Sequence, residues 1–254
     1  MLISLVHTVS PNINRCELTF LERQVIDYEL AVQQHADYCR LLQNCGAQVV
    51  TLSANRAHPD ACFIEDTAVV LDEIAVIASP GAVSRRGEVT AVEGELKKYR
   101  ETVRIDWPAT LEGGDVLQVG RTVFVGRSNR TNSAGIEALE KILRRFDYQV
   151  IPVELRQCLH LKSACTALEE RCLLVNPAWI EMQPFADFQK VTVPDTEIWS
   201  ANTIRVRDTV VLHEGFPDTI KLLRELDFKV ASVNISEFLK AEAGLSCLSL
   251  RFES

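Results

Sequence analysis

A cysteine near the C-terminus has the surroundings of a nucleophile. Cys247 follows the small residues Gly244 and Ser246, and an alternating segment that predicts a strand comes directly after it. Glycine can take a positive φ, and both residues are small, so the backbone beside the thiol is open to a ligand. A lone cysteine is more often a buried core residue. The assignment of Cys247 as a nucleophile therefore depends on partners elsewhere in the chain.

Other chemically active side chains precede predicted strands. Taken singly, each has an ordinary explanation, because acidic residues before a strand are usually solvated, a histidine between leucines is usually a core residue, and two glycines are common in turns. They become informative only if the fold brings them together. These segments are Phe63-Ile64-Glu65-Asp66, Glu112-Gly113-Gly114-Asp115, Leu159-His160-Leu161-Lys162 and the single residue Asn202.

The elements around these segments repeat. Four times the chain predicts a hairpin, then a helix, then a strand, and the hairpin turns recur about every 38 to 50 residues, which is the period of propellers and related arrays. The predicted hairpins span 67–78, 116–125, 165–175 and 203–212. The predicted helices span 88–99, 133–146 and 218–226, with a short irregular helix in the third unit. The strands that close the four units span 103–105, 149–153, 191–193 and 229–233.

A fifth unit requires both ends of the chain. We predict a strand at 2–8, a long helix ending at Cys45-Gly46 and a strand at 48–52, joined by the C-terminal strand after Cys247. The helix register places one set of residues on a common side: Ile26, Leu30, Tyr38, Leu41 and Leu42. Such a ring brings the segments before each hairpin toward the axis. With no linker-like break, residues 1–254 are predicted to form one domain.

Composition narrows the class of partner. The 254 residues carry 27 Lys and Arg against 35 Asp and Glu, so the net charge is -8, and no basic patch with interleaved aromatics offsets it. Nucleic acid is therefore not expected as a partner, whereas a cationic small molecule suits the charge. The apolar runs are only a few residues long, so no membrane association is expected either.

The eight cysteines favour a reducing compartment. None forms a CxxC pair, and the N-terminal segment lacks the features of a secretion signal, so reduced thiols and a cytoplasmic location are expected. Cys158, Cys165 and Cys172 are spaced by seven residues, but the segment crosses a predicted turn and gives no shared helical face. No zinc site is predicted.

The sequence resembles the dimethylarginine dimethylaminohydrolases (dimethylargininases) of the guanidine-modifying pentein superfamily over nearly its whole length. The resemblance implies an α/β fold, a five-bladed αβ propeller with pseudo-fivefold symmetry, which agrees with the repeat. The motifs that carry it are Asp60-Ala61-Cys62-Phe63-Ile64-Glu65-Asp66, Ser84-Arg85-Arg86-Gly87-Glu88, Glu112-Gly113-Gly114-Asp115, Arg130-Thr131-Asn132, Leu159-His160-Leu161-Lys162 and Ser246-Cys247-Leu248-Ser249.

The resemblance also implies roles. Cys247 would be the nucleophile, His160 the general acid and base, and Glu112 the carboxylate that orients the imidazole. Two arginines would hold the substrate α-carboxylate, Leu18 would lie on a mobile lid, and the backbone of Ala241 would contact the substrate amine. The implied substrate-binding residues are Leu18, Asp60, Phe63, Glu65, Asp66, Arg85, Arg130 and Ala241.

The implied reaction is hydrolysis of an Nω-methylated arginine to citrulline and a methylamine, through a thiouronium on the cysteine, without metal or organic cofactor. Arginine deiminase and amidinotransferase are the alternatives within the superfamily, although a deiminase usually carries a helical insertion for which this chain is too short. The noncatalytic ribosome-binding pentein, translation initiation factor 6, lacks the reactive set. A homodimer, and the preference among arginine, methylarginines and smaller guanidines, stay open.

One departure from the family concerns the nucleophile loop. Many relatives have two glycines where this chain has Ala243-Gly244, and some have Asp-Gly where it has Glu242-Ala243. A positive φ at position 243 would cost alanine about 1 to 2 kcal/mol and shift the loop beside Cys247. The departure bears on substrate preference more than on reaction class.

Overall fold

A computed structural model describes all 254 residues, as fifteen strands and six helices. The strands are β1 (Leu2–His7), β2 (Gln48–Leu52), β3 (Ala68–Val70), β4 (Ala75–Ile77), β5 (Thr102–Arg104), β6 (Val116–Val119), β7 (Thr122–Arg127), β8 (Gln149–Glu154), β9 (Cys165–Glu169), β10 (Cys172–Val175), β11 (Gln189–Thr192), β12 (Ile204–Val206), β13 (Thr209–His213), β14 (Lys229–Val233) and β15 (Leu250–Glu253). The helices are α1 (Tyr28–Asn44), α2 (Val89–Leu96), α3 (Ser133–Leu143), α4 (Leu161–Ala164), α5 (Pro217–Glu225) and α6 (Ser236–Leu239).

The strands form five sheets of three strands each. In every sheet an antiparallel pair is followed by a parallel third strand, which a hairpin and a crossover connection respectively require. The orders are β15-β1-β2, β3-β4-β5, β6-β7-β8, β9-β10-β11 and β12-β13-β14. The five-bladed αβ propeller expected from the repeat is confirmed.

Both chain ends build the fifth unit. Strand β1 pairs antiparallel with β15, with Leu5 opposite Leu250, and parallel with β2, with Ile3 opposite Gln48. The terminal amine of Met1 donates to the Ser254 carbonyl oxygen at 3.1 Å. This unit places the turn of Cys247 directly before a strand of the ring.

Helix α1 packs the fifth unit against the nucleophile loop. Tyr38 is fully buried, and its hydroxyl contacts the Ser249 hydroxyl at 2.7 Å and donates to the Leu245 carbonyl oxygen at 3.2 Å. The predicted apolar side is only partly correct. Ile26 is buried but precedes the helix, because the helix begins only at Tyr28 after the Asp27 cap. Leu30 lies in the first turn of the helix and is 42% exposed.

The first strands of the hairpins lie next to one another around the ring, with β15 beside β3, β6 beside β9, and β9 beside β12. In four units a single helical turn comes immediately before this strand, and it is here that the candidate side chains lie. These turns span Ile64–Thr67, Gly113–Asp115, Leu161–Ala164 and Ser246–Leu248. The fold therefore aims equivalent positions of different units at one place.

No helix is both long enough and apolar enough to cross a bilayer.

Candidate active site

One small cavity collects most of the predicted site residues. Its volume is about 20 Å³, which is room for little more than one water molecule. Nine of the eleven predicted residues line it, whereas Leu18 and Glu65 do not. The lining residues are Glu17, Asp60, Phe63, Asp66, Arg85, Glu112, Arg130, Leu159, His160, Ala241, Glu242, Ala243 and Cys247.

His160 lies among carboxylates. Its Nε2 is 2.8 Å from Oε2 of Glu112 and 3.9 Å from Oδ1 of Asp66, and all three side chains are buried. Burial by itself lowers the pKa of His160, but the charges of Asp66 and Asp115 and the bond to Glu112 outweigh it and raise the pKa to about 9. The imidazole is therefore protonated at neutral pH.

The same pairing acts on the carboxylates. Burial would raise the pKa of Glu112, but the hydrogen bond from His160 keeps it below its ordinary value. For Asp66, burial is likewise outweighed by the charges of His160 and Arg85, so its pKa is lowered. Two ionised carboxylates thus face a protonated imidazole in the closed site.

The two glycines of the second motif permit this close packing. A Cβ on Gly114 would lie 2.6 Å from Nδ1 of His160 and 2.8 Å from Oδ1 of Asp66, and a Cβ on Gly113 would lie 2.0 Å from the Glu65 carbonyl oxygen. The Gly114 N–H also donates to Oδ1 of Asp66 at 3.0 Å. A side chain at Gly114 would force His160 and Asp66 apart, and one at Gly113 would displace the backbone of Glu65.

Asp115 is a residue of the same motif that the sequence did not single out. It is buried, its Oδ1 accepts the Leu161 N–H at 3.1 Å, and its Oδ2 accepts the Ser128 hydroxyl at 2.6 Å. Burial raises its pKa to about 6 against these hydrogen bonds. Asp115 thus anchors the turn that begins at His160, and its place in the Glu112–Asp115 motif was the available signal.

Cys247 lies in the turn before β15, and its thiol is strongly perturbed. Burial raises its pKa to about 12, and the charges of Glu65 and Asp66 add to the effect. Without a cation in the cavity the thiol is protonated at neutral pH. Beside it, Ser246 donates to Oε2 of Glu65 at 2.6 Å, and Nζ of Lys162 is 2.5 Å from Oε1.

The backbone before Cys247 differs from the expectation. The left-handed residue is Glu242, with φ 58°, and neither Ala243 nor Gly244 has a positive φ. The backbone strain that a positive φ would cause at Ala243 is therefore absent. Gly244 is needed for a close approach instead, because a Cβ there would lie 2.3 Å from Cγ of Asn202.

The two predicted carboxylate-binding arginines have different surroundings. Arg85 is buried and contacts Oδ2 of Asp66 at 2.5 Å, Oε2 of Glu88 at 3.1 Å and the Phe63 carbonyl oxygen at 2.8 Å. Arg130 is less occupied, with Nη1 3.7 Å from Glu112. Arg130 therefore has donors to spare for a ligand, whereas most of those of Arg85 are in use.

The segment Glu17–Leu21 covers the cavity. The Glu17 N–H donates to Asp60 at 3.1 Å, and the Thr19 N–H donates to the Glu242 carboxylate at 3.0 Å. Glu242 also accepts the N–H groups of the next two residues. Leu18 itself is half-buried and packs on the largest hydrophobic cluster rather than facing the cavity. In this arrangement the site is closed.

Asp60 joins the lid to the acidic side of the site. It is buried, and burial raises its pKa to about 6, while Arg85 opposes the rise. A cation bound here would lower that pKa again and ionise the carboxylate. The cavity thus combines a thiol, an imidazolium and several carboxylates, a set that favours a cationic ligand.

Three of these groups are close enough to share a metal ion. One ligand atom from each of Asp66, Glu112 and His160 lies within 4.8 Å of the others. All three are buried and already bonded to one another or to Arg85. The lack of a metal requirement stays a prediction.

Known proteins resemble this chain in sequence and in fold. A family model described as "N,N dimethylarginine dimethylhydrolase, eukaryotic" matches residues 7–187. The chain is 35% identical to the N(G),N(G)-dimethylarginine dimethylaminohydrolase of Pseudomonas aeruginosa, over 89% of this chain and 90% of that one. It is 33% identical to the enzyme of the same name from Streptomyces coelicolor, over 98% and 96%.

The chain belongs to the dimethylarginine dimethylaminohydrolase family. A structure of the Pseudomonas aeruginosa family member, a cysteine-to-serine mutant complexed with citrulline, superposes with a TM-score of 0.93 at 33% identity, covering 98% of both chains. A second structure is a dimethylarginine dimethylaminohydrolase with a histidine-to-glycine mutation, as its adduct with S-methyl-L-thiocitrulline. It superposes with a TM-score of 0.95 at 32% identity, covering 99% of this chain and 100% of that one.

More distant neighbours share the fold. The N-terminal domain of ArgZ, an arginine dihydrolase from cyanobacteria, superposes with a TM-score of 0.86 at 20% identity, covering 99% of this chain and 98% of that one. At this identity the likeness concerns the propeller and not the chemistry. The family assignment rests on the dimethylarginine dimethylaminohydrolases.

Proposed function

We propose that this protein hydrolyses Nω-methylated arginines, asymmetric dimethylarginine and monomethylarginine, to citrulline and dimethylamine or methylamine. The observation that carries the proposal is the shared cavity of Cys247 and the His160–Glu112 pair, whose atoms are 2.8 Å apart. Family relatives named for this reaction, one of them crystallised with citrulline, support it.

The acidic side of the cavity would bind the guanidinium. Asp60, Asp66 and Glu112 are buried beside Cys247, and a planar guanidinium can donate hydrogen bonds from its N–H groups to several carboxylates at once. Asp66 is fixed by Arg85 and Glu112 by His160, so both are oriented before the substrate arrives. This orientation lowers the cost of ordering the site on binding.

The amino-acid end of the substrate would lie toward the lid. Arg130, with spare donors, is the stronger candidate for the α-carboxylate, and Arg85 would contribute at the edge of its own ion-pair cluster. The backbone of Ala241 would contact the α-amine, Phe63 would contact the aliphatic stem, and Leu18 would move with the lid. A cavity of about 20 Å³ requires the segment Glu17–Leu21 to move for entry.

The substrate itself would activate the nucleophile. The raised pKa of Cys247 reflects burial among carboxylates, and a guanidinium bound between these carboxylates and the thiol reverses the local charge. The thiol then releases its proton to solvent water, and the thiolate attacks the guanidinium carbon to give a tetrahedral adduct. A hydroxyl in this place would not ionise, which is why the reaction needs a thiol.

His160 would act in both halves of the reaction. As an imidazolium it gives its proton to the departing dimethylamine, so the C–N bond breaks and a thiouronium remains on Cys247. The neutral imidazole then takes a proton from water, and the hydroxide attacks the thiouronium carbon. The C–S bond breaks, the departing sulfur takes the proton of the added hydroxyl to restore the Cys247 thiol, and citrulline leaves. Glu112 holds the imidazole throughout.

A product assay tests the proposal. Purified protein is incubated separately with arginine, monomethylarginine and asymmetric dimethylarginine, and citrulline, ammonia, methylamine and dimethylamine are measured. We expect citrulline with the matching methylamine in equal amounts. Citrulline and ammonia from arginine as the preferred reaction would instead indicate a deiminase, and no citrulline from any of the three would refute the proposal.

Three broader features belong to the same proposal. Residues 1–254 would act as one catalytic domain, in the cytoplasm, where the eight free cysteines stay reduced. A homodimer is compatible with it. Cooperative unfolding in one transition, cell fractionation and light scattering test these three features in turn.

A further inference from the structure

Asn202 holds the place in the fourth unit that Asp66, Glu112 and His160 hold in the first three, yet it does not line the cavity. It lies two residues before β12 and is 8% exposed. Its carboxamide is used instead between two other units of the ring. The mechanism proposed above assigns it no part.

The carboxamide has partners on both of its ends. Its Oδ1 accepts the Ser246 N–H at 3.0 Å, and its Nδ2 donates to the Lys162 carbonyl oxygen at 2.9 Å and to the Ser246 hydroxyl at 3.0 Å. Because an N–H faces Oδ1 and a carbonyl oxygen faces Nδ2, only one orientation of the amide satisfies both partners. The arrangement requires an amide and excludes a carboxylate.

These partners adjoin the two residues that perform the chemistry. Ser246 is the neighbour of Cys247, and Lys162 follows His160 by two residues in the same turn. Gly244 backs the amide so closely that any side chain there would overlap it. The amide is therefore wedged between the nucleophile turn and the histidine turn.

A second link joins the same two turns from the other side. Glu65 accepts the Ser246 hydroxyl at 2.6 Å and the Lys162 ammonium at 2.5 Å. This link is made by side chains alone, whereas Asn202 binds backbone atoms of both turns. Loss of Asn202 would leave the turns attached but without a fixed backbone register.

We infer that Asn202 is a positioning residue that sets the separation of Cys247 and His160. The inference rests on the proposed hydrolysis for its kinetic readout. Asn202 touches neither thiol nor imidazole, so its effect is on the geometry of attack and proton transfer and not on substrate affinity. A displacement of about 1 Å in such a geometry costs about 100-fold in rate.

The test compares Asn202→Asp, Asn202→Ala and a matched control, Asn176→Asp. Asn176 is similarly buried and bridges backbone atoms, donating to the Ile198 carbonyl oxygen at 3.0 Å and accepting the Ala178 N–H at 3.1 Å, but its carboxamide bonds neither the nucleophile turn nor the histidine turn. For both Asn202 variants we expect kcat to fall by about 100-fold with KM within about threefold of wild type. The control should lose stability but keep its kcat.

A second readout separates this inference from the proposed function. Alkylation of Cys247 by chloroacetamidine, followed by mass spectrometry, needs no methylarginine turnover, and its rate per folded protein should fall in both Asn202 variants and not in the control. A wild type that turns over no methylarginine would refute the function alone. Three results would overturn the positioning role. They are unchanged kcat and alkylation rate in the Asn202 variants, equal losses of kcat and alkylation rate in Asn176→Asp, and unfolding of both Asn202 variants.

Discussion

Protonation of His160 should stabilise the fold at neutral pH and cease to do so in mild alkali. Its pKa is raised from 6.5 to about 9, since Asp66, Asp115 and Glu112 together outweigh the effect of burial. A group whose pKa is raised by folding contributes stability that is complete below its unfolded pKa and is lost as pH passes its folded pKa. The window is therefore pH 6.5 to 9.

The size of this contribution follows from the same values. A rise in the pKa of His160 from 6.5 to about 9 corresponds to about 3 kcal/mol of unfolding free energy, because each pKa unit is worth about 1.4 kcal/mol. Because the imidazole is 5% exposed, solvent screening removes little of it. Asp60 and Asp115 titrate near pH 6, at the lower edge of this window.

Urea unfolding of wild type and His160→Gln between pH 6 and pH 9.5 or so measures the effect. The wild type should lose about 3 kcal/mol more than the variant across the window. As a direct check, the imidazole signals in NMR should show one histidine that titrates near pH 9 and is missing from the variant. His7, His35 and His213 would not be confused with it, because burial lowers the pKa of each. Equal pH slopes for the two proteins, or a His160 signal that titrates at or below its ordinary value, would refute the reasoning.

Four further changes probe the site. Arg130→Ala should raise KM for methylarginines by about 10- to 100-fold at unchanged melting temperature, because a charge-assisted contact with the substrate is lost. Arg85→Ala should instead lower the free energy of unfolding by about 3 to 5 kcal/mol, because buried Asp66 is left without its partner. An unchanged KM in Arg130→Ala would exclude it from the carboxylate site. Glu242→Gln should weaken the closed lid by about 1 kcal/mol and speed proteolysis at Glu17–Leu21, and equal cleavage rates would contradict this. Dialysis against a chelator should leave turnover unchanged, while activity restored only by added metal would show a metal requirement.

The sequence predicts the ring well because its signals are local. Each unit carries its own alternating strands and turn residues, so the hairpins and crossover strands could be located from short windows, and the repeat then required Asp66, Glu112, His160 and Cys247 to converge. Helix α1 was less well predicted at its start. Its first turn lies at the protein surface, where periodicity does not decide which residues are buried, and Leu30 is exposed.

Features that depend on distant contacts could not be predicted. The carboxylate of Glu242 binds the backbone of Thr19 and its neighbours, a contact between residues more than 200 positions apart that no local pattern encodes. The raised pKa values of His160 and Cys247 also require the burial and charge arrangement of the folded chain. The sequence could identify these groups but not their protonation states.

The covalent intermediate provides the most direct test of the proposed mechanism. Protein mixed with asymmetric dimethylarginine is quenched in acid within a turnover, digested, and examined by mass spectrometry at the peptide that contains Cys247. The mechanism predicts a thiouronium adduct on this cysteine that is absent from Cys247→Ser. In His160→Gln the adduct should both form and decay slowly, because the imidazole serves both halves of the reaction. Citrulline formation by Cys247→Ser at the wild-type rate would contradict the central claim that this thiol is the nucleophile.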